Sequence, residues 1–514
     1  MFEKLNKNVK GEKMMKVSFL FRILSLILSV ILLAGIVCSC KKSGDGTLTD
    51  NSSNVVSTTG DTEINAMNIL GENDLGGTTI TFYLRSYGGI WDIKSLYADS
   101  ILSDTINDAV YERNETLKAQ YNFNIAVEES ASQSYPTRII NWVMAGECPA
   151  DVITAGGYDM AKIAVQGVLR DLKHVEGLDL EREWWNTTLN AQMSIANTLF
   201  YASGDIICED NMAVRCLFFN KTFAENMGFA PESIYNMVEN NEWTMEKMFQ
   251  MASVCYSDRD DVEGQSKGDT FGLSVQKVAA HYIFMTAAGV RITDKNANDI
   301  PEVVLGSSND ITITDQIGTY LNRDNSVYCE DDGVVHASFK KNNALFMAEV
   351  LGTVVTMRNW DVKFGILPMP KYSTEQPTYN HFADGNCLNL LAIPTGNNAK
   401  LDKIAFVLEA MCIESNKTLN PAFYDRALRG RYSYDVESSS MLDIILNTMF
   451  IENANLYKGD KESDGWGIIQ SELRDAVNSG SSISGVVASY KELTGTLINK
   501  TVTKLKDISM AQSY

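Results

Sequence analysis

The 514-residue chain carries 65 acidic side chains against 44 basic ones, a formal net charge of −21. That balance excludes a nucleic-acid binder, because polyanionic partners reward basic surfaces, and it reads instead as solubility. At 45% hydrophobic and 9% aromatic, the composition is that of a globular chain able to bury a core.

The amino end is basic and then apolar. Lys4, Lys7, Lys10, Lys13, Lys16 and Arg22 stand against Glu3 and Glu12, and an apolar run from Ile23 to Val37 follows. A membrane span needs about 20 apolar residues, so this run is short for an anchor. A charged head, a short apolar segment and small residues before a cut describe a secretory signal. The end of the run, IVCSC, resembles the lipobox of bacterial lipoproteins, where a branched apolar residue stands three before the lipidated cysteine and a small one directly before it. Val37 and Ser39 fill those places for Cys40; Cys38 fits less well, because bulky Val37 would flank the cut. Residues 1–39 are therefore expected to be a lipoprotein signal peptide and residues 40–75 a flexible tether, rich in Ser, Thr, Gly and Asp. A diacylated Cys40 would hold the rest of the chain at the extracellular face of the cell membrane, since two acyl chains anchor where one barely does. Loss of the signal takes the net charge to −25. Besides Cys40 the mature chain has seven scattered cysteines, an odd number without a CxxC pair, which argues against a disulfide framework.

From residue 76 onward about 440 residues remain, more than one core normally holds, so two lobes are expected. GGTTITFYLR (76–85) alternates like a strand. DTINDAVYERNETLKAQYN (104–122) is helical, with Asp104 as a cap and Ile106, Val110, Leu117 and Tyr121 as its apolar stripe. FNIAVEE (123–129) is the next strand. PTRIINWVMA (136–145) is a helix begun by proline. ADVITAG (150–156) is a buried strand and YDMAKIAVQGVLRDL (158–172) a helix. This alternation is the grammar of an α/β sheet covered by helices. Ligands of such sheets gather beyond the carboxyl ends of the strands, which points to GGYD (156–159).

PADVITAGGYDMAKIAVQGVLRDL, LFYASGDIICEDNMAVRCLFFNKTFAENMGF (199–229), NNEWTMEKMFQMA (240–252), KFGILPMPKYSTEQPTY (363–379) and CLNLLAIPTGNNAKLDKIAFVLEAM (387–411) together resemble the bacterial extracellular solute-binding proteins of sugar ABC importers. No single motif is specific; their order and spacing over residues 76–450 carry the resemblance. It implies the maltose-binding architecture: a two-lobe periplasmic-binding-protein fold of type II, each lobe a mixed sheet flanked by helices, with several hinge crossovers. It further implies lobes made of residues 76–210 with 389–430 and of 211–388 with 431–514, and hinges near 206–218 and 386–393. The partners implied are a small-molecule carbohydrate and the transmembrane permease subunits of an ABC transporter, with a monomeric chain, no cofactor and no catalysis. Thr244 is expected to cap its helix with Trp243 packed behind it, and Asn220-Lys221 to order a strand-to-helix turn.

Motifs for catalysis are missing. His174, His281, His336 and His381 have no partner at metal spacing, and HExxH, GxSxG and GxxxxGK[ST] are absent. DKNANDIPEVVL (294–305) breaks the calcium-loop rule twice, with Asp299 at the sixth place and Leu305 at the twelfth, and reads as a polar turn entering a strand. A surface glycan-processing enzyme would need a carboxylate dyad, which nothing nominates; a binder or sensor of a non-sugar solute is the other rival.

A sugar presents hydroxyls at its edge and C–H-rich faces, so its site needs aromatic platforms with carboxylates or amides. Tyr158 and Asp159 follow the buried strand. Trp184 and Trp185 are platform candidates, with packing of both as the alternative. Asp205 borders the first hinge, and Asp210 precedes the FFNK strand, where its side chain could reach the ligand. Glu349 and Trp360 stand where the family turns the middle of the chain to the cleft, Trp360 alternatively covering the sheet. Asp384 and Asn386 precede the second crossover. Arg429 follows the last crossover, with pairing to the acidic surface as its alternative, and Trp91 lies in the loop after the first strand.

Overall fold

The computed structural model describes residues 65–512, apart from 90–91, 261, 267, 323–324, 331–335, 358, 397, 425–435 and 459–464. In chain order its strands are β1 (Thr78–Arg85), β2 (Phe123–Ser130), β3 (Val152–Gly156), β4 (Arg215–Asn220), β5 (Phe271–Gln276), β6 (Thr293–Lys295), β7 (Pro301–Val303), β8 (Val327–Glu330), β9 (Ala344–Val350), β10 (Phe364–Leu367), β11 (His381–Phe382), β12 (Asn389–Ala392) and β13 (Met449–Phe450).

Two mixed sheets organise the molecule. The first has the order β12-β3-β1-β2, with β1 parallel to β2 and β3, and β12 antiparallel to β3. The second has the order β10-β4-β9-β5-β8, with β5 parallel to β8 and β9, while β4 runs antiparallel to β9 and β10. The chain thus leaves the first sheet after Gly156, builds the second from Arg215 to Leu367, and returns through β12. Helices cover the sheets, and one hydrophobic cluster runs through both, from Phe82 and Val152 to Phe218, Phe346 and Leu391.

Local chemistry explains the helices. Helix Thr105–Tyr121 starts where the Asp104 carboxylate accepts the Ile106 and Asn107 N–H groups, and ends at left-handed Asn122. Val110, Leu117 and Tyr121 of its stripe are fully buried, and Ile106 is half-buried. Pro136 lies in the first turn of helix Tyr135–Ala145, where its missing N–H costs nothing. Thr244 caps helix Met245–Ser253 through the Lys247 N–H, and the Asn220 side chain caps helix Lys221–Asn226 through the Phe223 N–H. Trp243 is fully buried and donates its indole N–H to the Pro368 carbonyl (3.0 Å). The turn expected at 294–305 is the loop of the β6–β7 hairpin, tied by Asn296 Oδ1 accepting the N–H groups of Asn298 and Ile300. None of the seven described cysteines is in a disulfide.

The helix expected over 158–172 is shorter. It spans Gly157–Ala164 and stops because Gly167 turns with φ +73°, after which Leu169 bridges to Pro394 beside the first sheet.

Helix Ile483–Gln512 has 30 residues, about 45 Å at 1.5 Å per residue. Near its start Lys491 donates to the Leu305 carbonyl, and near its end Ser509 donates to Asp171 (2.6 Å) while Gln512 donates to the Leu169 carbonyl (2.8 Å). It therefore touches elements associated with both sheets. The β6–β7 hairpin adds a second bridge: Asp299 accepts from the Ser194 hydroxyl and the Asn197 N–H (2.9 Å each), and Lys295 donates to Ser194.

Candidate functional site

The carboxyl edges of the two sheets carry a joined polar cluster. On the first sheet β1 ends at Arg85 and β3 at Gly156. The Tyr87 hydroxyl accepts the Gly156 N–H (2.9 Å) and donates to Asp159 Oδ2 (3.0 Å), while Arg85 Nε lies 3.6 Å from the same oxygen. The Arg85 guanidinium also sits 4.5 Å over the Tyr87 ring. Burial, and then the Asp159 charge, push the Tyr87 phenol well above its ordinary value, so it stays a donor. Arg85 Nε is buried and, among the described residues, has no hydrogen-bond partner, its ion pair with Asp159 being longer than a hydrogen bond.

On the second sheet Arg215 opens β4, opposite the carboxyl ends of β5 and β9. Its guanidinium is shared three ways: Nη1 to Glu349 (2.5 Å), Nε to Asp384 (3.1 Å) and Nη2 to Gln276 (3.1 Å). Arg215, Glu349 and Asp384 are all buried. Burial opposes charge on Arg215, but the two carboxylates overcome it and raise its basicity. Burial likewise works against the Glu349 carboxylate, yet Arg215 and His336 hold it below the usual range. His336 Nε2 is 3.7 Å from Glu349, and its ring is 5.4 Å from that of Trp360, over which Lys340 lies at 5.9 Å.

Tyr158 joins the two edges. Its hydroxyl accepts from Asn455 (3.3 Å), and Asn455 Oδ1 accepts the Gly385 N–H (2.8 Å), next to Asp384. Burial and then the Asp384 charge push the Tyr158 phenol up. The approach needs bare backbone: a Cβ on Gly157 would stand 2.4 Å from Leu456 Cδ2 and 3.0 Å from the Gly385 carbonyl. Beside Tyr158 and Asp159 opens a cavity of about 620 Å³, which extends to Trp466 and the long helix.

The structure thus brings together Tyr158, Asp159, Glu349, Asp384 and Trp360, with exposed Asn386 donating its N–H to Asp384 (3.0 Å). It does not bring the others there. Trp184 and Trp185 are buried, and both indole N–H groups are taken by Glu409, so the pair packs in the core rather than offering platforms. Asp210 is buried and turned inward, accepting from Ser203 and Asn211. Half-buried Asp205 donates its N–H to the Trp184 carbonyl (2.9 Å). Burial pushes both aspartates up to about 7. Cys40, Trp91 and Arg429 lie outside the described residues.

Sequence reasoning missed Arg85, Tyr87, Arg215, Gln276 and Asn455, and weighed His336 for metal binding and catalysis but not for this cluster. Arg215 had a signal, a lone cation opening the apolar strand RCLFFN.

The fold is thus two mixed sheets with helices, their carboxyl edges joined by a polar, aromatic-bearing cluster. The chain belongs to the bacterial extracellular solute-binding proteins, whose family model matches residues 112–413, more than half of its length. Solved structures share the fold at low identity. An ABC substrate-binding protein from Listeria monocytogenes in complex with cycloalternan is 14% identical at TM-score 0.51, covering 83% of this chain and 99% of that one. An ABC transporter solute-binding protein from Thermotoga lettingae bound with α-D-tagatose is 12% identical at TM-score 0.51, covering 82% and 100%. The GacH receptor of Streptomyces glaucescens, solved unliganded and with acarbose, is 11% identical at TM-score 0.52, covering 82% and 99%. No curated protein matches the sequence. Among the described residues no helix is long and apolar enough to cross a membrane.

Proposed function

We propose that this protein captures a carbohydrate outside the cell, by closure of two lobes, and delivers it to the permease subunits of an ABC importer. The lobes are built around the first sheet (76–210 with 389–430) and the second (211–388 with 431–514). The chain acts as a monomer, anchored to the outer face of the membrane through a diacylated Cys40. Ligand touching both lobes favours the closed state by its differential affinity, the permease reads closure, and no bond is made or broken.

The observation that carries this reading is the joined cluster of Tyr158, Asp159, Asp384 and Glu349 where the two sheets' carboxyl edges meet. It supplies an aromatic face with planar acceptors and amides, the chemistry a polyhydroxylated ligand requires. The saccharides and sugar-like compounds held by the three structural neighbours support the same class.

The test is intrinsic tryptophan fluorescence titrated with mono- and oligosaccharides, peptides and polyols. A saturable shift with a saccharide, weakened at least about ten-fold in Tyr158→Ala as loss of a stacking anchor implies, is expected. A shift with peptides and none with any saccharide overturns the sugar class. For the anchor, Cys40→Ser is expected to abolish metabolic palmitate labelling and move the protein to the soluble fraction; an unchanged membrane fraction overturns it.

A further inference from the structure

The chain is acidic, yet among the described residues the wall of the cavity beside Tyr158 and Asp159 includes four lysines, Lys162, Lys458, Lys500 and Lys504, and one acid, Asp159; Lys458 and Lys500 have polar partners of their own, which leaves Lys162 and Lys504 as the cations to consider. Asp159 is already met by Arg85 and the Tyr87 hydroxyl. Among the described residues neither Lys162 nor Lys504 has an ion-pair partner, and both are exposed. They come from different elements, helix Gly157–Ala164 and helix Ile483–Gln512, so their meeting is a product of the fold rather than of a local basic run. Lys458 lies 5.1 Å over the Tyr158 ring, which joins this basic pocket to the cleft.

A second observation concerns the aromatic part of the cavity wall. Trp466 lines the cavity, is fully buried and stacks on Tyr457 (5.1 Å between ring centres), and among the described residues its indole N–H has no hydrogen-bond partner. Such orphaned donors are uncommon and costly. At about 620 Å³ the cavity is large enough for a sugar unit. The overall negative charge does not forbid an anion here, because fields from charges more than about 8 Å away are largely screened at physiological salt; the nearest lysines decide.

We propose that this pocket is a subsite for an acidic saccharide, taking its anionic group between Lys162 and Lys504 while the rest of the ligand lies along Tyr158 in the cleft. The inference rests on the sugar-binding reading and adds the charge of the ligand to it.

Matched pairs test it by titration calorimetry in low salt. Tri-galacturonic acid is set against its methyl ester, and an unsaturated chondroitin sulfate disaccharide against its unsulfated form, so that carboxylate and sulfate are separated. At least one acidic member is expected to bind about ten-fold or more tighter than its neutral partner, as charge-assisted contacts imply. That preference is expected to fall with added salt and to vanish in Lys162→Gln/Lys504→Gln. Affinity of the double variant for the neutral partner is expected to stay within about two-fold, since rim charges away from the contact contribute little. Neutral members binding as well as acidic ones, or a preference that survives the double substitution, overturns the subsite alone. Absence of binding by every saccharide, neutral or acidic, overturns the sugar reading and the subsite with it.

Discussion

Arg215 is the residue on which the cleft depends most. It neutralises two buried carboxylates at once, and removing one member of such a group leaves uncompensated charge in a low-dielectric place. Arg215→Met is expected to lose about 3–5 kcal/mol of stability, as broken buried ion pairs do, read as a lowered urea midpoint. A triple variant that adds Glu349→Gln and Asp384→Asn to Arg215→Met is expected to regain part of that loss. Asp210 gives a prediction in pH. Its folded value is raised to about 7 from an ordinary 3.8, so between those values the folded chain holds a proton the unfolded chain has released. Stability is then full below about pH 4 and declines as pH rises towards 7. Asp210→Asn is expected to flatten that decline, and a urea midpoint that falls equally in both proteins between pH 4 and 7 counts against it.

The helices and strands show which features were legible and why. Asp104, Asn220 and Thr244 act on N–H groups two or three residues away, so their role is written in adjacent letters. Thr244→Ala is expected to cost about 1 kcal/mol, the usual loss for a removed cap, and Thr244→Ser to restore it in thermal melts. Tyr158 and Asp159 were legible for a similar reason: a glycine-ended apolar strand announces where the next side chains emerge. The tryptophan pair was not. Its fate is set by Glu409, more than 200 residues along the chain, and a tryptophan beside another in a polar stretch looks the same with or without that partner. Arg215 finds Glu349 and Asp384 across comparable separations. The end of helix Gly157–Ala164 had a local signal in Gly167; only the bridge that follows, from Leu169 to Pro394, depends on a distant partner.

Over the whole molecule the elements of the two sheets are tied by more than their crossovers. The β6–β7 hairpin and the long helix each make contacts on both sides. The closure proposed above would therefore be a motion that these bridges tolerate, a small rotation about them rather than a free swing. Ser509→Ala with Gln512→Ala removes the hydrogen bonds at one end of the helix. By hydrogen exchange, amides near residues 505–512 are expected to lose protection while those near 485–495 keep it, because the Lys491 end is untouched. Uniform loss along the helix would show instead that it melts as one unit.

The long helix also follows every sheet strand in the sequence. A polypeptide made amino end first has both sheets in place before these turns arrive, and until they dock the two sides are held by the crossovers, the hairpin and links such as Tyr158–Asn455–Gly385. A premature stop, or a protease clip just before Ile483, would leave a body whose sheets are complete but whose last fastening is missing.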